Sequence, residues 1–271
     1  MANENTRVER NNTVKKAQKG KRRRRRKQTI AVSVILLLVV AIVLSTLSLT
    51  VFFNIKNIKV TGSATYSADE IIAVADLSIG DNLLRISKNK ISNNLQKKLP
   101  FISSVEIKRN FPESVEIIVT ETTENFCLVT SDGYFTADIS GKVIAKKAER
   151  VEDLVALAVS NETVLNVGEK VQFATEREEE LFFLYANLIE NNNYTVNFVN
   201  ISDPYNSYMK INDKIIVKLG SSTYFEEKVA YLNAGLKKIS KEAKGVFDLS
   251  AWSHENNQPV FTYEDITQFD F

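Results

Sequence analysis

Hydrophobic and polar positions along this chain fall into three successive regimes. From Ile30 to Leu49, 20 residues run almost without a polar break, interrupted only by Ser33, Ser45, Thr46 and Ser48, and no charge occurs between Lys27 and Lys56. At about 1.5 Å per residue a helix over this run covers about 30 Å, the thickness of a bilayer's hydrocarbon core. The run has no polar face, so it predicts a transmembrane helix within 29–53, its hydroxyls bonding back to their own backbone. It is longer than the apolar region of a cleaved signal peptide and no A-x-A-like site follows it. An uncleaved signal anchor fits better.

Beyond the span the pattern changes to short alternating strands and two helical stretches. "NIKNIKVTG" (54–62) predicts a strand closed by Gly62, and "SADEIIAVA" (67–75) a helix capped by Ser67 with Glu70 three residues on. Ser87 opens a second helix in which Ile91, Leu95 and Leu99 recur every four residues, and Pro100 ends it. Two alternating strands follow: Val105, Ile107 and Arg109 oppose Glu106 and Lys108, and Val115, Ile117 and Val119 oppose Glu116 and Thr120. "NFPES" between them supplies a turn. The order strand–helix–helix–strand–strand buries one face of a small sheet under two helices.

From about residue 122 the third regime begins. "NFCLVT", "GYFTADISGKVIA" and "VEDLVALAV" read as strands separated by Asp132-Gly133 and Ser140-Gly141 turns. In "TEREEELFFLYANLIENN" Leu181, Leu184, Tyr185 and Leu188 take helical spacing, and the acidic run 176–180 reads as a solvated helix start. Strands "YTVNFVNIS", "YMKIND" and "KIIVKLG" precede a second helix carrying Phe225, Val229, Leu232, Leu236 and Ile239 on one seam. "GVFDLSAW" (245–252) and "QPVFTYED" (258–265) close the pattern.

Particular residues in this pattern resemble a known family. "FFNIKNIKVTG", "IGDNLL" and "LQKKLPFISSVEIKRNFPESVEIIVTE" are similar to the POTRA module of the bacterial division proteins FtsQ and DivIB. The densest likeness runs from Leu95-x-x-x-Leu99-Pro100-x-Ile102 through Arg109-x-x-Pro112 to Val119-x-Glu121. "DISGKVIA", "NVGEKV", "KIIVKLGSSTYFEEKVAYL" and "KGVFDLS" resemble that family's β domain, and the likeness extends over roughly 30–264. Glu121 is followed by "TTENF" where relatives commonly carry Pro-x-Ala, and "TQFDF" has no counterpart. The resemblance implies an α+β fold: a single N-terminal transmembrane helix, a POTRA module (β-α-α-β-β) and a mixed α/β β domain. The expected division is a basic tail 1–28, the anchor 29–53, POTRA 54–121, β domain 122–265 and a short tail 266–271.

Charge decides the orientation of this arrangement. Residues 1–28 carry 12 Lys/Arg, including Arg22, Arg23, Arg24, Arg25, Arg26 and Lys27, against two Glu, a net +10; the remainder is −8. The positive-inside rule therefore puts the tail in the cytoplasm and 54–271 outside. An arginine run alone also suits nucleic acid, but this tail has no interleaved aromatics and no folded reader, so no specific nucleic-acid partner is expected.

Candidate chemistry adds little. One cysteine, Cys127, and one histidine, His254, exclude an internal disulfide and a Cys/His zinc cluster. Cys127 sits in an apolar run as a small hydrophobe, and His254 in a polar turn. No phosphate-cradling glycine motif and no G-x-S-x-G elbow occurs, so neither catalysis nor a cofactor or small-molecule substrate is expected. Recognition remains, and an unpaired sheet edge near the C-terminus is the natural docking place. The candidate residues are Phe247, Leu249, Trp252, Val260, Phe261 and Tyr263, with Trp252 and Tyr263 expected to be exposed anchors. The resemblance implies that this region receives a bitopic FtsB/DivIC-type partner, itself paired with FtsL, with other divisome components as further candidate partners of the chain. The chain then reads as a non-enzymatic scaffold of septal peptidoglycan synthesis; the competing reading is a membrane-tethered enzyme acting on cell-wall polymers.

Overall fold

The computed structural model describes residues 32–44, 52–240, 242–253, 255, 260–263 and 266–269. The basic run 22–27 and His254 lie outside them. Of the predicted span, 32–44 forms one helix, α1, with every side chain exposed. Thirteen residues of helix cover about 20 Å, and among the described residues no helix is long and apolar enough to cross a membrane. Contacts gather the chain into two compact units: Met1–Ile58 with Ser78–Ile86 and Arg109–Val115, and Lys59–Leu77 with Ser87–Lys108 and Glu116–Phe271.

The predicted strand–helix–helix–strand–strand order is present as β1 (Asn57–Thr61), α2 (Ala68–Ala75), α3 (Lys88–Lys98), β2 (Ile102–Asn110) and β3 (Ser114–Glu121). Ser67 and Ser87 cap the two helices, their side chains accepting from the amides of Glu70 and Lys90 at 3.2 and 3.4 Å. Each bond satisfies one amide that has no partner inside its helix. Ile91, Leu95 and Leu99 are all buried, as their four-residue spacing requires. The sheet runs β1-β3-β2, and Val115, Ile117 and Val119 fill its buried face. Gly62, at φ +92°, lies where a Cβ would overlap the carbonyl of Val119, so only glycine lets β1 leave the sheet there.

Glu121 closes this module from the far end of β3. One of its oxygens accepts from Ser63 Oγ at 2.6 Å and from the Thr65 amide at 3.0 Å; the other accepts from Thr65 Oγ1 at 3.0 Å. Burial pushes the carboxyl up, but the hydrogen bonds from Ser63 and Thr65 outweigh it and hold it below its usual range.

The remaining strands form one nine-stranded sheet in the order β12-β11-β10-β9-β8-β7-β4-β5-β6. They are β4 (Phe126–Thr130), β5 (Gly133–Ala137), β6 (Val143–Lys147), β7 (Val155–Ala158), β8 (Val196–Asn200), β9 (Ser207–Ile211), β10 (Ile215–Gly220), β11 (Gly245–Asp248) and β12 (Val260–Thr262). Pairs β4–β7, β7–β8 and β10–β11 are parallel, the others antiparallel. Two helices, α4 (Glu176–Asn191) and α5 (Phe225–Leu236), pack on one face. Leu181, Phe182, Tyr185 and Leu188 of α4 and Phe225 and Leu232 of α5 meet Leu128, Leu157, Val217, Leu219 and Phe247 there. The two-residue strand period sends Ala156, Ala158, Phe198, Ile216 and Val246 to the opposite face. Cys127 lies in β4 as a buried free thiol.

Two sequence expectations change. The acidic helix start is not wholly solvated: Glu178 is buried, accepting from the amides of Ser160 and Ala174 at 2.7 and 3.0 Å and from Thr163 Oγ1. It precedes Leu181, Phe182 and Tyr185 by 3, 4 and 7 positions, so helical geometry turns it to the core, and loop donors replace the water it loses. The α5 seam also ends sooner than read, because the helix stops at Leu236 and Ile239 packs from the segment beyond it.

Candidate partner-binding edge

A nine-stranded open sheet has two edges, and the residues of each decide what it can do. β6 carries Lys146 and Lys147, the latter paired with Glu124 at 3.0 Å, and Lys146 lies over the Phe135 ring. Its beginning is covered: Val143 donates to the carbonyl of Glu169, and Gly168 donates back to that of Val143. Charge and cover are the usual protections of an edge. The opposite edge, β12, reads Val260-Phe261-Thr262 and carries no charge. It pairs antiparallel with β11 through Val246–Thr262, Phe247–Phe261 and Asp248–Val260. Among the described residues no strand lies on its other side, so alternate N–H and C=O groups of β12 point outward.

Local packing explains how β12 is held. Gly245 opens β11 at a point where a Cβ would overlap the Thr262 carbonyl, and Gly235 of α5 leaves room for the Phe247 ring in the same way. Phe247 stacks obliquely on Phe261 at 5.9 Å, and Phe261 meets Tyr263 edge-on at 5.0 Å. A ladder of three rings thus runs from the core to the surface.

The six residues singled out from sequence separate accordingly. Phe247 and Leu249 belong to the core, Phe261 is half-buried, and Val260 and Tyr263 are exposed at 58% and 72%. Trp252 departs from its expected exposure. It is buried, packed against Tyr224 at 5.5 Å and Tyr231 at 5.3 Å. The Leu249–Trp252 turn, closed by a 3.1 Å backbone bond, folds the indole back toward α5 instead of outward. The two exposed residues of the set are therefore Val260 and Tyr263, both at the edge.

Sequence reading missed the segment after β12. Ile266 is buried with Ile216 and Val246, and Phe269 meets Tyr208 edge-on at 5.4 Å, with Lys218 Nζ 5.4 Å from its ring. The signal was present as Ile266 and Phe269, apolar residues three positions apart in a largely polar tail. A cleft of about 860 Å³ lies beside the ends of α4 and α5. Its lining is asparagine and lysine with Tyr194, Ile215, Leu236, Ile239 and Ser240, and holds no carboxylate. Among the described residues no group of His, Cys, Asp and Glu could hold a metal ion.

Residues 53–122 match the family model described as "POTRA domain, FtsQ-type". The chain is 28% identical over 163 residues to "Cell division protein DivIB" of Clostridium acetobutylicum, covering 59% of this chain and 65% of the relative. It is 26% identical over 171 residues to the protein of the same name from Clostridium tetani, covering 61% and 64%. A third match, 24% over 203 residues, is to "Cell division protein FtsQ" of Corynebacterium glutamicum and covers 73% and 86%. The chain thus spans just under two thirds of the length of the two clostridial relatives.

Proposed function

Because this chain belongs to the FtsQ/DivIB family of bacterial cell-division proteins, we propose that it is a non-enzymatic bitopic scaffold of the division septum. It holds an FtsB/DivIC-type partner, and FtsL through it, and so helps regulate septal peptidoglycan synthesis. Residues 29–53 anchor it, with the basic tail in the cytoplasm and the modules 54–121 and 122–265 outside. Three features support the anchor: the uncharged run 30–49, the exposure of its apolar side chains over 32–44, and the +10 tail before it. A helix apolar on all sides needs lipid or protein around it.

The observation that carries the docking site is the uncharged edge β12 with Val260 and Tyr263 exposed beside it. A partner strand added there gains backbone hydrogen bonds from the edge and side-chain specificity from the two exposed residues. The test uses the full-length chain with a photo-crosslinking residue at 260, 263 or, as control, 146. Adducts with the FtsB/DivIC-type partner at 260 and 263 but not at 146 are expected. Adducts confined to 146 would reject β12 as the dock. Tyr263→Glu should weaken the complex about 10-fold, equivalent to about 1.4 kcal/mol.

A further inference from the structure

The first compact unit carries four large apolar side chains that its own fold leaves uncovered. Phe52, Ile79, Leu84 and Phe111 are exposed at 68%, 64%, 43% and 57%. All four belong to the unit formed by Met1–Ile58, Ser78–Ile86 and Arg109–Val115. The three segments that carry them are hydrogen-bonded side by side. Leu83 donates to the Phe53 carbonyl at 2.7 Å, Gly80 to that of Ile55 at 2.8 Å, and Lys56 to that of Glu113 at 2.8 Å. Asn54 and Asn82 form an antiparallel bridge between two of these segments. The Phe53 ring meets Phe111 edge-on at 5.6 Å, which ties the hairpin turn to this group. Scattered exposed apolar residues need no explanation, but four on one small hydrogen-bonded unit do.

Chain length says what covers them. The apolar run ends at Leu49, and Phe52 follows three residues later. Three residues reach at most about 10 Å, comparable with the depth of about 5–10 Å at which interfacial apolar faces lie. Arg85, exposed beside Leu84, adds a cation suited to anionic headgroups. We propose that Phe52, Ile79, Leu84 and Phe111 form a face that inserts into the headgroup layer of the bilayer holding the anchor. The inference rests on the reading of 30–49 as a membrane span. Its consequence is a second point of attachment, which fixes one orientation of this unit on the membrane surface.

The experiment reads collision of a single spin label with oxygen, which concentrates in lipid, and with a nickel chelate, which stays in water. Full-length protein with Cys127→Ala is labelled singly at 79, 84 or 111 and reconstituted into vesicles containing anionic lipid. Labels at 40, inside the span, and at 205, exposed on the second unit, are the references. The expected result is an oxygen-to-nickel ratio at 79, 84 and 111 several-fold above that at 205 and approaching that at 40. Water-like ratios at 79, 84 and 111 with a lipid-like ratio at 40 would overturn the inference and leave the span standing. A water-like ratio at 40 removes the span and the inference together. Shielding of 79, 84 and 111 from both reagents means that a second copy of the chain covers the patch, which also overturns it. With the label at 111, the pair Ile79→Glu and Leu84→Glu should restore a water-like ratio there without changing the ratio at 40.

Discussion

Trp252 and Tyr263 are both large aromatics near the C-terminus, yet one is packed between two tyrosines and the other stands in solvent. Their substitutions should differ in kind. Trp252→Ala opens a cavity beneath α5 and should cost about 3–5 kcal/mol in denaturant unfolding. Tyr263→Ala should change stability by less than about 0.5 kcal/mol while weakening partner capture. Glu178 shows the same point for a charged residue. Glu178→Ala leaves the Ser160 and Ala174 amides and the Thr163 hydroxyl without their acceptor, so a loss of about 3 kcal/mol is expected in the same measurement. Glu121 gives a pH dependence. Its carboxyl lies below the ordinary value of 4.5 in the folded chain, so its stabilisation is complete above that value and fades as pH falls through the lower folded value. Melts of the native chain and of Glu121→Gln between about pH 3 and 7 should therefore converge in acid.

At the scale of elements, local pattern was a sound guide wherever one face is buried. The serine caps, the Ile91–Leu95–Leu99 stripe and the alternation in β2 and β3 were all readable because propensity and burial agree there. What local pattern could not supply was strand order. β4 pairs with β7 and β10 with β11, both in parallel, across intervening strands or a helix, and such pairing depends on partners distant in sequence. The fit of β12 against β11 likewise depends on Gly245, which in sequence looks like an ordinary turn glycine. Gly245→Ala should push β12 off the sheet edge. Hydrogen exchange at 260–262 should then rise and crosslinking at 260 should fall, while Tyr263→Ala leaves exchange unchanged.

For the whole molecule, charge segregation and one close contact matter most. If the +10 tail sets the orientation, replacing Arg22–Arg26 by glutamate should lower the fraction of chains with residue 263 outside. A reporter active only outside the cell, fused after that position, measures the fraction. Within the second compact unit, Gly168 at φ +86° sits where a Cβ would overlap the Lys97 carbonyl. Lys97 pairs with the neighbouring Glu169, and that hydrogen bond holds its carboxyl below the usual range. Lys142 Nζ meanwhile donates to the Ile102 carbonyl at 2.7 Å. Gly168→Val should destabilise by about 2 kcal/mol or more, since a β-branched residue at positive φ is strained even without the overlap.

The sequence alone determined the apolar run and its basic flank, the β-α-α-β-β order, the two helices of the larger sheet and the likeness to the division proteins. Each of these is written in neighbouring residues, as a run, a period, a cap or a motif. Tertiary structure alone decided that Glu178 and Trp252 turn inward, that Ile266 and Phe269 pack on the second face, and that β6 is protected while among the described residues no strand covers β12. Those outcomes depend on which distant segments become neighbours, because burial and edge exposure are properties of the assembled sheet and not of any stretch of chain. The C-terminal aromatic cluster was legible in the sequence, but only the pairing of β12 with β11 shows that Val260 and Tyr263 are its exposed members.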